Sequence, residues 1–388
     1  MSEKLMQVLA DETGGKSYKA HKYGLDHADR PFIDYGDKEI IWQKTSETEH
    51  HRTYVSLEEK SIEVAKRGEQ LLTYFLDGSR RVYKVDDIAY MKSGGRTAIY
   101  PVIAGQIGVG CCKRVNREIT PIKFKNEIVL SVPEDANADG KNGFFEAMAL
   151  KLNLLPDLKR LNLRISSIIP YKISKDDGKK FEDRGTACIQ ERMSQCEKDL
   201  VAELVQKGML NQNNYLVKDG SLEYRPSKEI LKDKRKSQIF KNNYNYVLGL
   251  SKNFNPEVCL DINGKPNPAF IADLPLYCRT PVACYKKPEF FGDIQFAVWY
   301  IRLHDKSRTR TPFDGIVKVE KMLVTQKENE SGIESDLVDL LSALIINERN
   351  PTCYGSDLRW ANHIYPIYLT ESYVKSKYLS AESFLHIF

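Results

Sequence analysis

None of the eight cysteines forms a CxxC pair, which excludes a zinc ribbon or finger. Long apolar runs are also missing. The densest cluster, Leu340–Ile346, is far too short to span a bilayer, so no membrane partner is expected. The first residues, MSEKLMQVLADETGG, lack the apolar core of a secretion signal. The cysteines are therefore expected to be reduced thiols in a cytoplasmic protein. There is no GxxxxGK[ST] motif, and the glycine cluster GQIGVG at Gly105–Gly110 stands in β-rich sequence with no Lys-Ser/Thr after it, so no ATP site is assigned. Any motor the protein needs must be borrowed. HExxH, GxSxG and a Cys/His family signature are absent too, which argues against zinc-peptidase, serine-hydrolase and cysteine-nucleophile chemistry. Nor is there a strong charge bias. Lys and Arg number 58 against 53 Asp and Glu, a net +5 that permits a nucleic-acid partner without demanding one.

What is present suits a globular protein of 388 residues, with 41% hydrophobic and 29% charged residues and ample chain for a sizeable core. The most informative stretch is Leu71–Arg81, LLTYFLDGSRR, an apolar β-rich run that reaches Asp77-Gly78-Ser79. This predicts a strand delivering Asp77 to its exposed end, with Gly78 turning the chain into the next strand, Val82–Val85. A second copy, NYLVKDGSL at Asn214–Leu222, predicts another short strand ending at Asp219. Two aspartates at the ends of neighbouring strands make half of a magnesium or manganese site, because hard cations take oxygen ligands.

From 71 to about 132 the sequence predicts an antiparallel meander. After that, helices alternate with strands, including a helix over about 180–207 and a strand at Asn245–Leu250 that leads to Ser251 and Lys252. The expected fold is α/β, a mixed sheet with an antiparallel meander followed by crossover strands, flanked by helices. Residues 1–56 are charged and form an N-terminal extension, packed on the surface or serving as a partner-docking arm. Residues 57–388 form the main domain. Ser56 with Glu59 predicts a capping box for the helix that enters the first DGS strand. Further strands are predicted at Ile294–Leu303 and Gly315–Val319, and a helix at Ser335–Asn347.

The helix before Asp219 carries an apolar stripe of Ile189, Met193, Cys196, Leu200 and Leu204, and Glu197 falls within it. A carboxylate on a buried face must be paired or bound to metal. Glu197 is the candidate third acid and Glu203 the fallback; the bland alternative for Glu197 is a salt bridge with Arg192 or a nearby lysine. Asp135–Glu146 satisfies the D-x-[DN]-x-[DN]-G-x5-E calcium pattern, but a strand and Pro133 precede it where a helix belongs, which favours a polar surface loop. Positive charge gathers at Lys232/Lys234/Arg235/Lys236, at Arg308/Arg310 and at Lys113/Arg114/Arg117. These serve as phosphate contacts or simply as solvated faces. Lys252 either reaches a scissile phosphate or is a surface lysine.

Taken in order, FLDGSR (Phe75–Arg80), the helix from Arg192 to Glu197, VKDGSL (Val217–Leu222), VLGLSK (Val247–Lys252) and YPIYL (Tyr365–Leu369) resemble the NurA nuclease family. The resemblance covers most of the chain, and the order of the motifs carries it. It implies an RNase H-like core, a DNA nuclease dependent on Mn2+ or Mg2+, and a homodimer working with a hexameric HerA-like ATPase in DNA-end processing or antiphage defence. It also implies that Asp77, Glu197 and Asp219 are the metal-binding acids. One departure stands out. The family's tail carries an Ala-His pair after YP-x-x-L, whereas this chain has Ser372-Tyr373, so either His363 substitutes or the histidine is dispensed with. The reading of a different class is a non-catalytic nucleic-acid-binding adaptor on the same scaffold.

Overall fold

The computed structural model describes residues 4–18, 21–26, 41–91, 95, 97–173, 178, 180–222, 230, 232–256, 265, 267–286, 294–350 and 360–388. Residues 223–229 and 231, before the basic patch at Lys232–Lys236, lie outside these residues, as do Cys259 and Cys353. The described residues build one fourteen-stranded mixed sheet. Its strands are β1 (Gly15–Ser17), β2 (Tyr23–Gly24), β3 (Ile41–Thr45), β4 (Val55–Ser56), β5 (Leu72–Met91), β6 (Thr97–Val115), β7 (Glu118–Pro133), β8 (Ile165–Tyr171), β9 (Tyr215–Asp219), β10 (Val247–Ser251), β11 (Cys278–Arg279), β12 (Ala283–Lys286), β13 (Gln295–Arg302) and β14 (Ile316–Leu323). The main path runs β3-β12-β13-β14-β10-β9-β5-β6-β7-β8.

The predicted division into two halves is present. β5, β6 and β7 form an antiparallel meander. β9 then pairs parallel to β5, and β10 parallel to β9, so these strands present their carboxyl ends together. Between β8 and β9 runs the long helix Phe181–Gln206. Its stripe of Ile189, Met193, Cys196, Leu200 and Leu204 packs on a first sheet face with Leu76, Val109 and Leu216. The second face, with Phe75, Val217, Leu248 and Leu250, is covered by the helix Ser335–Asn347 and by Ile364 and Ile367. Ile367 belongs to a tail helix, Tyr365–Ser376. A third apolar cluster joins the far halves of β5–β7 to the helices Leu5–Glu12 and Phe144–Leu152.

Three expectations are corrected. The first DGS is not a turn. β5 continues through it for twenty residues, because Asp77, Gly78 and Ser79 pair with Gly110, Val109 and Gly108 of β6. A partner strand that runs past a turn-prone tripeptide overrides its local preference. The capping box does not form either: Ser56 belongs to β4, and the helix Glu58–Arg67 starts after Leu57 with no side-chain cap. The described part of residues 1–56 is woven into the sheet rather than laid on its surface. Leu5, Met6, Leu9 and Ala10 are buried, β1 and β2 pair with the far half of β5, and β4 pairs with β11. Within this segment, fully buried Glu47 pairs with fully buried Arg279 at 2.8 Å, and Arg279 also reaches Asp339 at 2.5 Å.

The glycine cluster of β6 has a packing role. A Cβ on Gly105 would lie 2.7 Å from Ile189 of the long helix, on one face. On the other face, Cβ atoms on Gly108 and Gly110 would lie 2.8 and 2.6 Å from Val374 of the tail helix. The calcium-like loop is a polar turn: the Asn137 side chain bonds both N and O of Lys141, and the Lys141 ammonium pairs with Asp139 at 2.9 Å. Among the described residues no helix is long and apolar enough to cross a membrane.

Candidate active site at the strand ends

Register places the acids. Leu76 of β5 lies beside Lys218 of β9, and Asp219 beside Leu250 of β10. Asp77, Asp219 and Lys252 therefore stand in a row where β9 and β10 stop. Crevices at the carboxyl ends of parallel strands are the usual ligand sites of open α/β sheets. At Asp219 the second DGS does turn, with Gly220 at φ +83°. Ser221 and Leu222 are then held by Glu320 of β14, which accepts from Ser221 Oγ at 2.8 Å and Leu222 N at 2.7 Å.

Alternation along the strands sorts the side chains by face. Leu76 and Leu216 point to the first face, Phe75 and Val217 to the second. Asp77 and Asp219 therefore share the second face, beneath the tail helix. Lys252 Nζ reaches Asp219 Oδ2 at 3.0 Å and Glu371 Oε2 of the tail helix at 3.5 Å. Glu371 also pairs with Lys375 at 2.5 Å. Asn362 fixes the backbone below, donating to Lys252 O at 2.9 Å and Ile316 O at 2.8 Å. His363, 2% exposed, lies near enough to Asp219 to help hold its carboxyl down and packs edge-on against Tyr368.

Glu197, 3% exposed, lies on the first face. Its carboxylate sits over Gly78, where any Cβ would collide with Oε1. It pairs with Lys218 at 3.3 Å. The pairing expected as the bland alternative thus occurs with a lysine, while Arg192 forms a bidentate bridge to Glu127 at 2.7 Å. Glu203 is solvated, and hydrogen bonds from Lys123 and Lys207 hold its carboxyl down to about 2. Glu203 is not among the leading influences on Asp77 or Asp219.

The two aspartates sit in unequal electrostatic surroundings. Asp77 is 3% exposed and makes no side-chain hydrogen bond or ion pair among the described residues. Burial, then the carboxylates of Asp219, Glu371 and Glu197, push it well above the usual carboxylate range, against the pull of Lys252. Burial also raises Asp219, but Lys252, followed by Lys218 and His363, outweighs it and leaves that carboxyl low. The same cluster of charges therefore pushes the two carboxyls in opposite directions, Asp77 up and Asp219 down. One Asp219 oxygen, Oδ1, is shut off from solvent with no hydrogen-bond partner among the described residues.

A buried acid without a partner and an orphaned carboxylate oxygen fit a hard cation, which needs only one or two protein carboxylates when water and phosphate complete its shell. Among the described residues, no three His, Cys, Asp or Glu side chains are already gathered as a metal-holding group. The basic patches behave differently from one another. Lys234, Arg235 and Lys236 lie exposed on the helix Lys234–Asn243, and Arg308 and Arg310 are exposed between β13 and β14. Arg114 is drawn inward to Glu348 at 2.6 Å.

Sequence reasoning missed Glu371, Asn362 and Glu320. Glu371 had a signal: it lies four residues after Ile367 and three before Val374, both buried on the tail helix, which is the pattern that singled out Glu197.

No protein-family model matches this chain, and no curated protein matches it in sequence. Among solved structures it is similar to the NurA nuclease from Sulfolobus solfataricus, at 11% identity and a TM-score of 0.40, over 85% of this chain and 92% of that one.

Proposed function

We propose that the protein is a divalent-cation-dependent DNA nuclease with an RNase H-like core, hydrolysing phosphodiester bonds at the Asp77–Asp219 site. The observation that carries this reading is the Asp77 carboxyl, buried and unpartnered among the described residues, beside Asp219 where β9 and β10 end against the continuing β5. Asp77 and Asp219 would hold Mn2+ or Mg2+. Bound there, the cation would supply charge stabilisation on the phosphate and a more acidic water. The Lys252 ammonium, kept near the strand ends through Asn362, neutralises charge on the scissile phosphate. Glu197 holds Lys218, whose Nζ donates to Asp219 O at 2.7 Å and so steadies the strand end from the opposite face. The exposed basic residues Lys234, Arg235, Lys236, Arg308 and Arg310 suit contacts to the DNA backbone.

The order of the sequence motifs supports a homodimer acting with a HerA-like hexameric ATPase, in DNA-end processing or antiphage defence. The adaptor reading has one observation in its favour: Lys252 already bridges two of the acids without a metal.

The test is cleavage of labelled DNA with Mn2+ or Mg2+ by the full chain, alone and with a HerA-like ATPase. Asp77→Asn and Asp219→Asn should each abolish the product. If the wild-type protein binds DNA equally well with and without chelator and yields no product in either setting, the adaptor reading replaces the nuclease.

A further inference from the structure

The Asp77–Asp219 pair has a third acid on its own side of the sheet. Glu371 comes from the tail helix, which packs directly on β5 and β6 because Gly108 and Gly110 leave room for Val374. It is 15% exposed at its side chain, whereas its helix neighbour Lys375 is 50% exposed. Its second oxygen faces Lys252 at 3.5 Å, and Lys252 meets Asp219 at 3.0 Å. One ammonium thus sits between two carboxylates, next to a third, Asp77, that is buried and makes no side-chain bond among the described residues. Lys375 reaches the other Glu371 oxygen from the exposed side, at 2.5 Å. Neither lysine bonds Asp77 or the Oδ1 of Asp219, so these carboxylate oxygens are left for a further cation.

We propose that Glu371 is the third acid of the cation site, and that Lys252 is a resident counter-ion whose place between Asp219 and Glu371 a divalent cation contests. The proposal rests on the nuclease reading and assigns to the tail helix a role that Glu197, across the sheet and paired with Lys218, does not fill. It gives the C-terminal segment a direct part in the chemistry: without the tail helix the site would keep only Asp77 and Asp219 on this face. A purely structural Glu371, tying the tail helix to the end of β10, is the competing account.

The two accounts differ in the sign of one measurement. Mn2+ binding to the full chain is followed by electron paramagnetic resonance of free Mn2+ and by the rise in Tm that Mn2+ produces. Glu371→Gln should weaken Mn2+ binding by about tenfold or more. Lys252→Met should tighten it, because a competing cation is gone. Lys375→Met, which removes only the exposed partner of Glu371, should leave affinity within about twofold. A structural clamp predicts instead that Glu371→Gln and Lys252→Met both lower Tm and change Mn2+ affinity little or in the same direction. If Glu371→Gln does not fold, Glu371→Asp replaces it, keeping the charge but withdrawing it by one methylene, and weaker binding is again expected. Wild-type affinity in the Glu371 variant, together with lost affinity in Asp77→Asn, overturns this inference alone. Wild-type affinity in Asp77→Asn as well overturns the cation site itself.

Discussion

Asp77 stands opposite Gly110 in the β5–β6 register, and the missing side chain at Gly110 brings Glu371 within range of Asp77. A Cβ on Gly110 would lie 2.6 Å from Val374 Cγ2, so the tail helix rests on the bare backbone. Gly110→Val should therefore push that helix off the sheet. The expected cost is about 1–3 kcal/mol of stability, typical of overpacking. Cleavage should fall further than stability explains, measured well below the lowered Tm.

Asp77→Asn should abolish cleavage and yet stabilise the metal-free protein. The carboxyl makes no bond that the amide would lose, and its folded pKa lies well above the unfolded value. Stability is thus fully present below about pH 4, where the unfolded side chain titrates, and is lost as pH rises through the folded pKa. The gain in Tm from Asp77→Asn, on the order of 2–4 °C, should be larger at pH 8 than at pH 5. Asp219→Asn should behave oppositely. Its carboxyl is held below the usual range by Lys252, so its contribution is present above about pH 4 and disappears on acidification. Thermal melts of both variants across this range check the pair of signs.

Glu197→Ala should chiefly cost stability. Its partner Lys218 is 6% exposed at the side chain and would lose its carboxylate while keeping its bonds to the Asp219 and Ser221 carbonyls. Breaking one side of a buried pair costs about 3–5 kcal/mol. Urea denaturation should show a lowered midpoint, while Mn2+ affinity of the folded protein falls less than in Asp77→Asn. Equal loss of affinity in the two variants would return Glu197 to the ligand set.

Arg279→Ala should be among the most damaging substitutions far from the site. Fully buried Glu47 would lose its guanidinium partner, although Val282 N would still donate to it at 2.9 Å. The expected loss is again about 3–5 kcal/mol, seen as a lower denaturant midpoint with an unchanged slope. The same change should loosen the N-terminal segment, read as faster hydrogen exchange in β4 and at Glu47.

Local pattern determined much of this protein. The long helix, the helix Ser335–Asn347, the meander and the strand ends at Asp219 and Ser251 were legible because periodicity and turn chemistry act within a few residues. The neighbouring strands of Asp77 and Asp219 were legible from the two DGS copies, whereas Lys252 stood open between a phosphate contact and a surface position. Which face each acid occupies was not legible, since a strand's phase is fixed by the layer that packs on it. β6 decided that Asp77-Gly78-Ser79 would pair rather than turn. The two helices on opposite faces decided that Glu197 would meet Lys218 while Glu371 met Lys252. Burial and charge partnership are properties of neighbours brought from distant parts of the chain, and only the packed sheet supplies those neighbours.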